Sequence, residues 1–191
     1  IDIARFQNGK NTVISFLENK KFILSVSQIY RLKNFDTLIK SYLKLLKNGE
    51  REIKLVIVGS IQEKKYFDEL KAISSLSENI IFLHNVLDSE LNWLYKNCEI
   101  YILLSYFEGY SLTPAEAICS GKSIILSDID VHRNIYNGLA VFVNPNSVDS
   151  TFRAISNREK NIIPANKRSE FMKRISLEKF LSKLYQIIFD E

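Results

Sequence analysis

Six short runs of apolar residues punctuate the chain: Phe22–Ser27, Ile53–Ser60, Ile80–His84, Ile100–Ser105, Ser123–Ser127 and Ala140–Asn144. None alternates strictly with polar residues, which is the pattern of strands covered on both faces in a parallel sheet. Helical periods fill the gaps between them. Phe35, Leu38, Ile39, Tyr42, Leu43 and Leu46 share one helix face, and Tyr66, Phe67, Leu70 and Ile73 share another. Asp88 reads as the N-cap of a third helix carrying Leu91, Leu94 and Tyr95. Asn144–Ser147 reads as a turn, Pro164 interrupts a polar stretch, and Leu177, Phe180, Leu181, Leu184 and Ile188 predict a closing helix. Strand and helix alternate at intervals of about 25 residues, which predicts an α/β fold with a right-handed, doubly wound, Rossmann-like parallel sheet. Ligands of such sheets bind beyond the carboxyl ends of the strands. The loops to inspect are therefore those near residues 27–34, 59–62, 84–87, 105–113 and 127–134.

Composition narrows the picture only a little. A chain of 191 residues, 46% hydrophobic and 25% charged, suits one globular domain with a real core. Its formal net charge of +4 suits an anionic ligand, but the basic residues are spread out and give no nucleic-acid signal. Cys98 and Cys119 both sit in apolar segments and read as buried free thiols, which points to a reducing compartment. No run approaches the roughly 20 apolar residues that span a membrane, and no signal peptide is visible. The chain begins at Ile1 and its single methionine is Met172, so it reads as a piece of a longer protein.

Several chemistries lack their residues. There is no G-x-G-x-x-G after the first strand, no Walker A loop and no G-x-S-x-G elbow. His84 and His132 do not stand at metal-ligand spacing with the cysteines, so no metal site is expected. The stretch Tyr106–Leu126, YFEGYSLTPAEAICSGKSIIL, holds more. It places Glu108 and Glu116 on either side of a strand-to-helix junction. Thr113-Pro114-Ala115-Glu116 has the form of a capping box, with Thr113 as N-cap and Glu116 reaching back. A ligand role for Glu116 is compatible with that, because a helix N-terminus aims free N–H groups and positive charge at the loop mouth. A phosphate there would meet the backbone of Ser111, Leu112 and Thr113. Glu108, before Gly109 in a turn, caps nothing and is either a solvated loop acid or a ligand group. Arg31 and Lys33 follow the first strand and are either a solvated pair or a phosphate clamp. Gly59 either lets its loop approach a ligand or simply ends a strand.

These residues together carry a family resemblance. FEGYSLTPAEAICSGKSIILSD resembles the signature of the retaining, group 1 glycosyltransferases (family 4), in which seven residues separate two glutamates; Glu108 and Glu116 have that spacing. FILSVSQIYRLKNFDTLIKSY resembles the family's first strand and lysine loop, IKLVIVGS its second strand, and IIFLHNVLDSELNWLYKNCEIYILLS the strand-helix-strand that follows. SDIDVHRNIYNGLAVFVNPNS resembles the segment after the fifth strand, and the likeness covers roughly residues 1–155.

The resemblance implies the C-terminal, donor-binding lobe of a GT-B fold. Residues 1–21 would be an interdomain segment, 22–157 the Rossmann-like domain, and 158–191 a tail with the closing helix. It implies an enzyme that uses a nucleotide-diphosphate sugar and transfers a hexosyl group with retention to a glycan or lipid-linked acceptor, held partly by an N-terminal lobe outside this chain. Lys33 would contact the diphosphate, Glu108 the transferred sugar, and Glu116 the ribose hydroxyls. Gly109, Ser111, Leu112 and Thr113 would line the donor, and the base would lie on His84, Asn85 and Val86. No cofactor and no metal are implied, and no nucleic acid. The implied location is the cytoplasm, extending to peripheral association with the inner membrane face. Three positions depart from the family: Gln28 stands where an arginine is usual, Ser111 where glycine is frequent, and Asn134 where glutamate is frequent. The departures leave open whether Arg31 replaces the missing arginine. They also leave open a non-catalytic nucleotide-sugar-binding module, with a nucleotide-sugar epimerase as a further alternative.

Overall fold

The structure is a computed structural model that describes residues 3–176. The predicted closing helix of Leu177–Ile188 lies outside the described residues. All six apolar runs form strands: β1 (Phe22–Val26), β2 (Lys54–Val58), β3 (Ile80–Leu83), β4 (Ile100–Leu103), β5 (Ile124–Ser127) and β6 (Ala140–Val143). They make one parallel sheet in the order β3-β2-β1-β4-β5-β6. Eight helices are described: α1 (Ile3–Asn8), α2 (Phe35–Lys47), α3 (Lys64–Ser74), α4 (Asp88–Asn97), α5 (Leu112–Cys119), α6 (Asp130–Tyr136), α7 (Val148–Ser156) and α8 (Ala165–Ile175).

The strands lack polar alternation because both faces of the sheet are covered. Phe22, Leu24 and Val26 of β1 point into a core with Leu94 and Tyr95 of α4, Ala117 and Ile118 of α5, Tyr136 of α6 and Phe171 of α8. Ile23 points the other way, into a second core with Phe35, Leu38 and Tyr42 of α2, Leu70 of α3 and Ile155 of α7. Burying each such side chain contributes about 1.5–3 kcal/mol, so the two-sided runs specify the sheet. Phe6 and Leu17, from the segment read as interdomain, are buried in the first core, where Phe6 meets Tyr95 edge-on.

The start of α4 differs from its sequence reading. Leu87, not Asp88, is the N-cap of α4, and its N–H donates to Glu90 Oε2 at 2.8 Å. Asp88 instead takes the guanidinium of Arg5 at 2.8 Å, a distant partner that local capping rules do not include.

The strand order reverses between β1 and β4. The chain moves outward from β1 to β2 and β3, then crosses back to β4 on the other side of β1. In doubly wound sheets the crevice that takes ligands lies at such a switch point, outside the carboxyl ends of the two strands. Its back wall depends on Gly59, where a Cβ would lie 1.8 Å from the Ser27 carbonyl oxygen. The glycine is thus required by the close approach of the β1 and β2 ends. Gly59→Ala is expected to cost about 1–3 kcal/mol, the range for a forced backbone shift in a packed interior; urea unfolding of the variant checks it, and an unchanged midpoint contradicts the clash.

Candidate functional site

The loops after β1 and β4 meet over the switch point. After β1 the chain makes a 3-10 turn, Arg31–Lys33, and passes through Asn34 in the left-handed region. Asn34 is fully buried, and its amide donates to the carbonyls of Leu104 at 3.1 Å and Pro145 at 2.8 Å. That one side chain ties the β1 loop to the ends of β4 and β6. The Tyr106 N–H donates back to the Leu32 carbonyl at 2.8 Å. Together these bonds set the position of Lys33.

Lys33 and Glu108 form a buried ion pair. Lys33 Nζ lies 2.7 Å from Glu108 Oε1, and the two side chains are 10% and 8% exposed. Ser105 Oγ donates to the same carboxylate oxygen at 2.6 Å, and the Tyr30 ring sits 5.4 Å from the ammonium. The alternative of a solvated loop acid is thereby corrected: Glu108 is held inside the crevice by its cation. Two charges out of water are costly unless paired, so neither side chain is free to be lost alone.

Beyond Glu108 the chain turns into α5. Gly109 has open space around its Cβ position and a φ outside the left-handed region, so no steric demand of the fold selects it. Ser111 is the N-cap of α5 with φ 64°, a left-handed conformation that costs a non-glycine residue energy unless its surroundings enforce it. The enforcing side chains come from α6. His132 Nε2 lies 3.1 Å from Ser111 Oγ, and Tyr136 donates its hydroxyl to the Ser111 carbonyl. Leu112 and Thr113 then form the first turn, whose N–H groups have no partner within the helix.

The capping box expected at Thr113 and Glu116 does not form. The helix begins one residue earlier than Thr113, and neither side chain caps it. Thr113 Oγ1 accepts from Tyr101 at 2.7 Å, and Glu116 Oε2 accepts from Tyr95 at 2.8 Å. Both tyrosines are buried, and their hydroxyls need acceptors. Those tertiary bonds displace the local motif. Burial pushes the Glu116 carboxyl up, and the Tyr95 hydrogen bond pulls it back.

The remaining sequence-derived candidates are not all brought to the pair. Arg31 turns away, placing its guanidinium on Glu69 of α3 at 2.8 Å and over the Tyr66 ring at 4.9 Å. Gln28 is exposed on the same loop. His84 Nδ1 lies 2.6 Å from the Gly59 carbonyl and donates to it, which links the loop His84–Val86 to the back wall of the crevice. Asn85 is left-handed at φ 55°, and Val86 is half-buried at the edge of the first core. Cys98 and Cys119 are free and buried, their thiols pushed up to about 12 and about 11 by desolvation, so neither is a thiolate at neutral pH. Among the described residues no three His, Cys, Asp or Glu side chains converge. Sequence reasoning missed Asn34, Ser105 and His132. Asn34 acts on Leu104 and Pro145 and His132 on Ser111, partners far away along the chain that no spacing rule reaches; Ser105 serves Glu108 three residues on, within a loop that carries no regular period.

A charged pair with an aligned helix start at a switch point can bind an anionic ligand that also offers hydroxyls. Comparison with known proteins gives the family of the chain. The family described as "Glycosyl transferases group 1" matches residues 9–176. The O-antigen chain mannosyltransferase RfbU of Salmonella typhimurium is 30% identical over 153 residues, covering 80% of this chain and 42% of that protein. A glycosyltransferase from Rickettsia africae superposes with a TM-score of 0.82 at 20% identity, over 100% of this chain and 56% of the other. Anabaena HepE, solved with UDP and glucose, gives a TM-score of 0.80 at 16% identity, over 100% and 55%. At those identities the two structures speak for the fold alone. The chain spans less than half the length of RfbU and of the other curated relatives named as glycosyltransferases that it matches.

Proposed function

This chain belongs to the group 1 glycosyl transferases, and on that premise we propose that it is the nucleotide-sugar-binding lobe of an enzyme transferring a hexosyl group, with retention, to a glycan or lipid-linked acceptor. The buried Lys33–Glu108 pair in the switch-point crevice carries this reading. In it, Lys33 and the first-turn N–H groups of α5 face the diphosphate of the donor. They stabilise the charge that develops on the leaving group, an electrostatic contribution that is usually the largest in such reactions. Glu108 is the counter-ion of Lys33 before the donor arrives, and in its presence lies against the transferred sugar. Glu116 takes the ribose hydroxyls and the loop His84–Val86 takes the base. The compensating charge comes from the protein itself, so the reading calls for no metal or cofactor. The leaving phosphate assists deprotonation of the acceptor, whose own site belongs to sequence outside this chain. The reading places the protein in the cytoplasm or at the inner membrane face; no described helix is long and apolar enough to cross a membrane.

The support beyond the pair is chemical consistency. The structural neighbour HepE was solved with UDP and glucose, and RfbU is named a mannosyltransferase. A non-catalytic nucleotide-sugar-binding module is the second reading. It draws on Gln28 and on the outward placement of Arg31, which leave Lys33 as the side-chain cation beside Glu108. Turnover by a protein that joins this chain to its acceptor lobe separates the two.

Thermal shift with UDP, GDP, ADP and the matching nucleosides tests the donor reading. A diphosphate at 100 times its Kd adds about 2.7 kcal/mol, which raises Tm by about 5–10 °C for a domain of this size. The nucleosides are expected to do much less. Glu116→Ala is expected to erase any preference for a ribonucleotide over its 2′-deoxy counterpart. If no diphosphate shifts Tm, the donor reading fails.

A further inference from the structure

The hydrogen-bond partners of His132 fix its tautomer. Nδ1 lies 3.0 Å from the Ser127 carbonyl oxygen and 3.1 Å from Ser127 Oγ. The carbonyl can only accept. The Ser127 hydroxyl has already given its hydrogen to the Ser105 carbonyl at 2.6 Å, so it too can only accept from the ring. Nδ1 therefore carries the proton. The ring is fully buried, and burial holds it below the usual histidine range, so it is neutral at pH 7 and Nε2 is a bare lone pair. The group 3.1 Å from that lone pair, Ser111 Oγ, must then be the donor.

We propose that His132 is a positioning residue that takes up the hydroxyl hydrogen of Ser111, turning Ser111 Oγ into a hydrogen-bond acceptor at the donor-binding loop, suited to a hydroxyl of the transferred sugar and unsuited to a phosphate oxygen. Phosphate oxygens need donors, and Ser111 has none left to offer. The diphosphate is then read by Lys33 and the backbone, while Ser111 discriminates the sugar. This rests on the donor reading above. Two ionisable groups outside α6 act on the ring: Glu108, from the loop after β4, favours its protonation, and Lys33, from the loop after β1, opposes it. Because the folded ring titrates below its unfolded value, the neutral arrangement persists above about pH 6.5. It is lost as pH falls towards the folded value, where Nε2–H would donate to Ser111 and free its hydrogen.

Two measurements test this. Nitrogen-15 NMR of the chain, whose two histidines are distinguished by a His84→Gln variant, is expected to show neutral His132 with the proton on Nδ1; a proton on Nε2 overturns the inference. Calorimetry then compares UDP with UDP-glucose and GDP with GDP-mannose. Ser111→Ala is expected to weaken the better sugar nucleotide about three- to tenfold and its diphosphate by less than twofold. His132→Asn, whose amide reaches only the Nδ1 position, is expected to behave like Ser111→Ala. His132→Gln, whose amide reaches the Nε2 position, is expected to restore the preference, whereas a merely structural role predicts no such split. Equal losses for the diphosphate and its sugar nucleotide in Ser111→Ala overturn the inference while leaving the donor reading standing. If none of the four probes binds the parent chain, the donor reading falls and this inference with it.

Discussion

Lys33→Met is expected to destabilise the chain by about 3–5 kcal/mol, because it leaves the Glu108 carboxylate buried with, among the described residues, only the Ser105 hydroxyl as a hydrogen-bond partner. Glu108→Gln is expected to cost less, about 1–3 kcal/mol, since an amide oxygen still accepts from Lys33 and Ser105. The double variant is the informative one. With neither charge present, no ion remains to be desolvated, so its cost falls well below the sum of the two singles. Urea unfolding of all four proteins gives the coupling directly. Strictly additive costs contradict the picture of one buried unit and return Glu108 to the status of a loop acid.

That pair was half legible in the sequence. The placement of Lys33 after β1 and of Glu108 after β4 follows from the strand runs and the switch-point rule, and the family resemblance named both residues. Their burial did not follow, because Lys33 and Glu108 are 75 residues apart and a loop acid before a glycine reads as solvated. The strands themselves were legible for a simple reason: covering both sheet faces demands uninterrupted apolar runs, as Phe22–Val26 shows. Helix starts were less so. Thr113 and Glu116 satisfy the local capping rule perfectly in sequence, yet Tyr101 and Tyr95 need those oxygens more. Asp88 fails as a cap in the same way, through Arg5. Asn34 and His132 gave no signal at all. Each is a buried polar side chain with a distant partner: Asn34 meets Leu104 and Pro145 only when three loops come together, and His132, anchored on Ser127 five residues back, meets Ser111 only when a second loop folds against α6. Arg31 illustrates the reverse error: proximity in sequence to Lys33 suggested a shared role, while the 3-10 turn sends the two side chains in opposite directions.

The cation of the pair should also dominate diphosphate affinity. In Glu108→Gln, Lys33 keeps its charge and loses its anionic competitor, so UDP or GDP should bind as well as to the parent or better. Replacing Lys33 by Met in that same background removes the cation without leaving a buried carboxylate to repel the ligand or unfold the site. One charge-assisted contact is worth about 1.5–3 kcal/mol, and 1.4 kcal/mol is a factor of ten. Isothermal calorimetry of UDP and GDP against Glu108→Gln and Lys33→Met/Glu108→Gln, with Arg31→Ala as the control, therefore tests the donor assignment most directly. The account predicts a diphosphate Kd about ten- to a hundredfold weaker in the double variant, with nucleoside binding and Arg31→Ala unchanged; an undiminished diphosphate affinity in the folded double variant would contradict it.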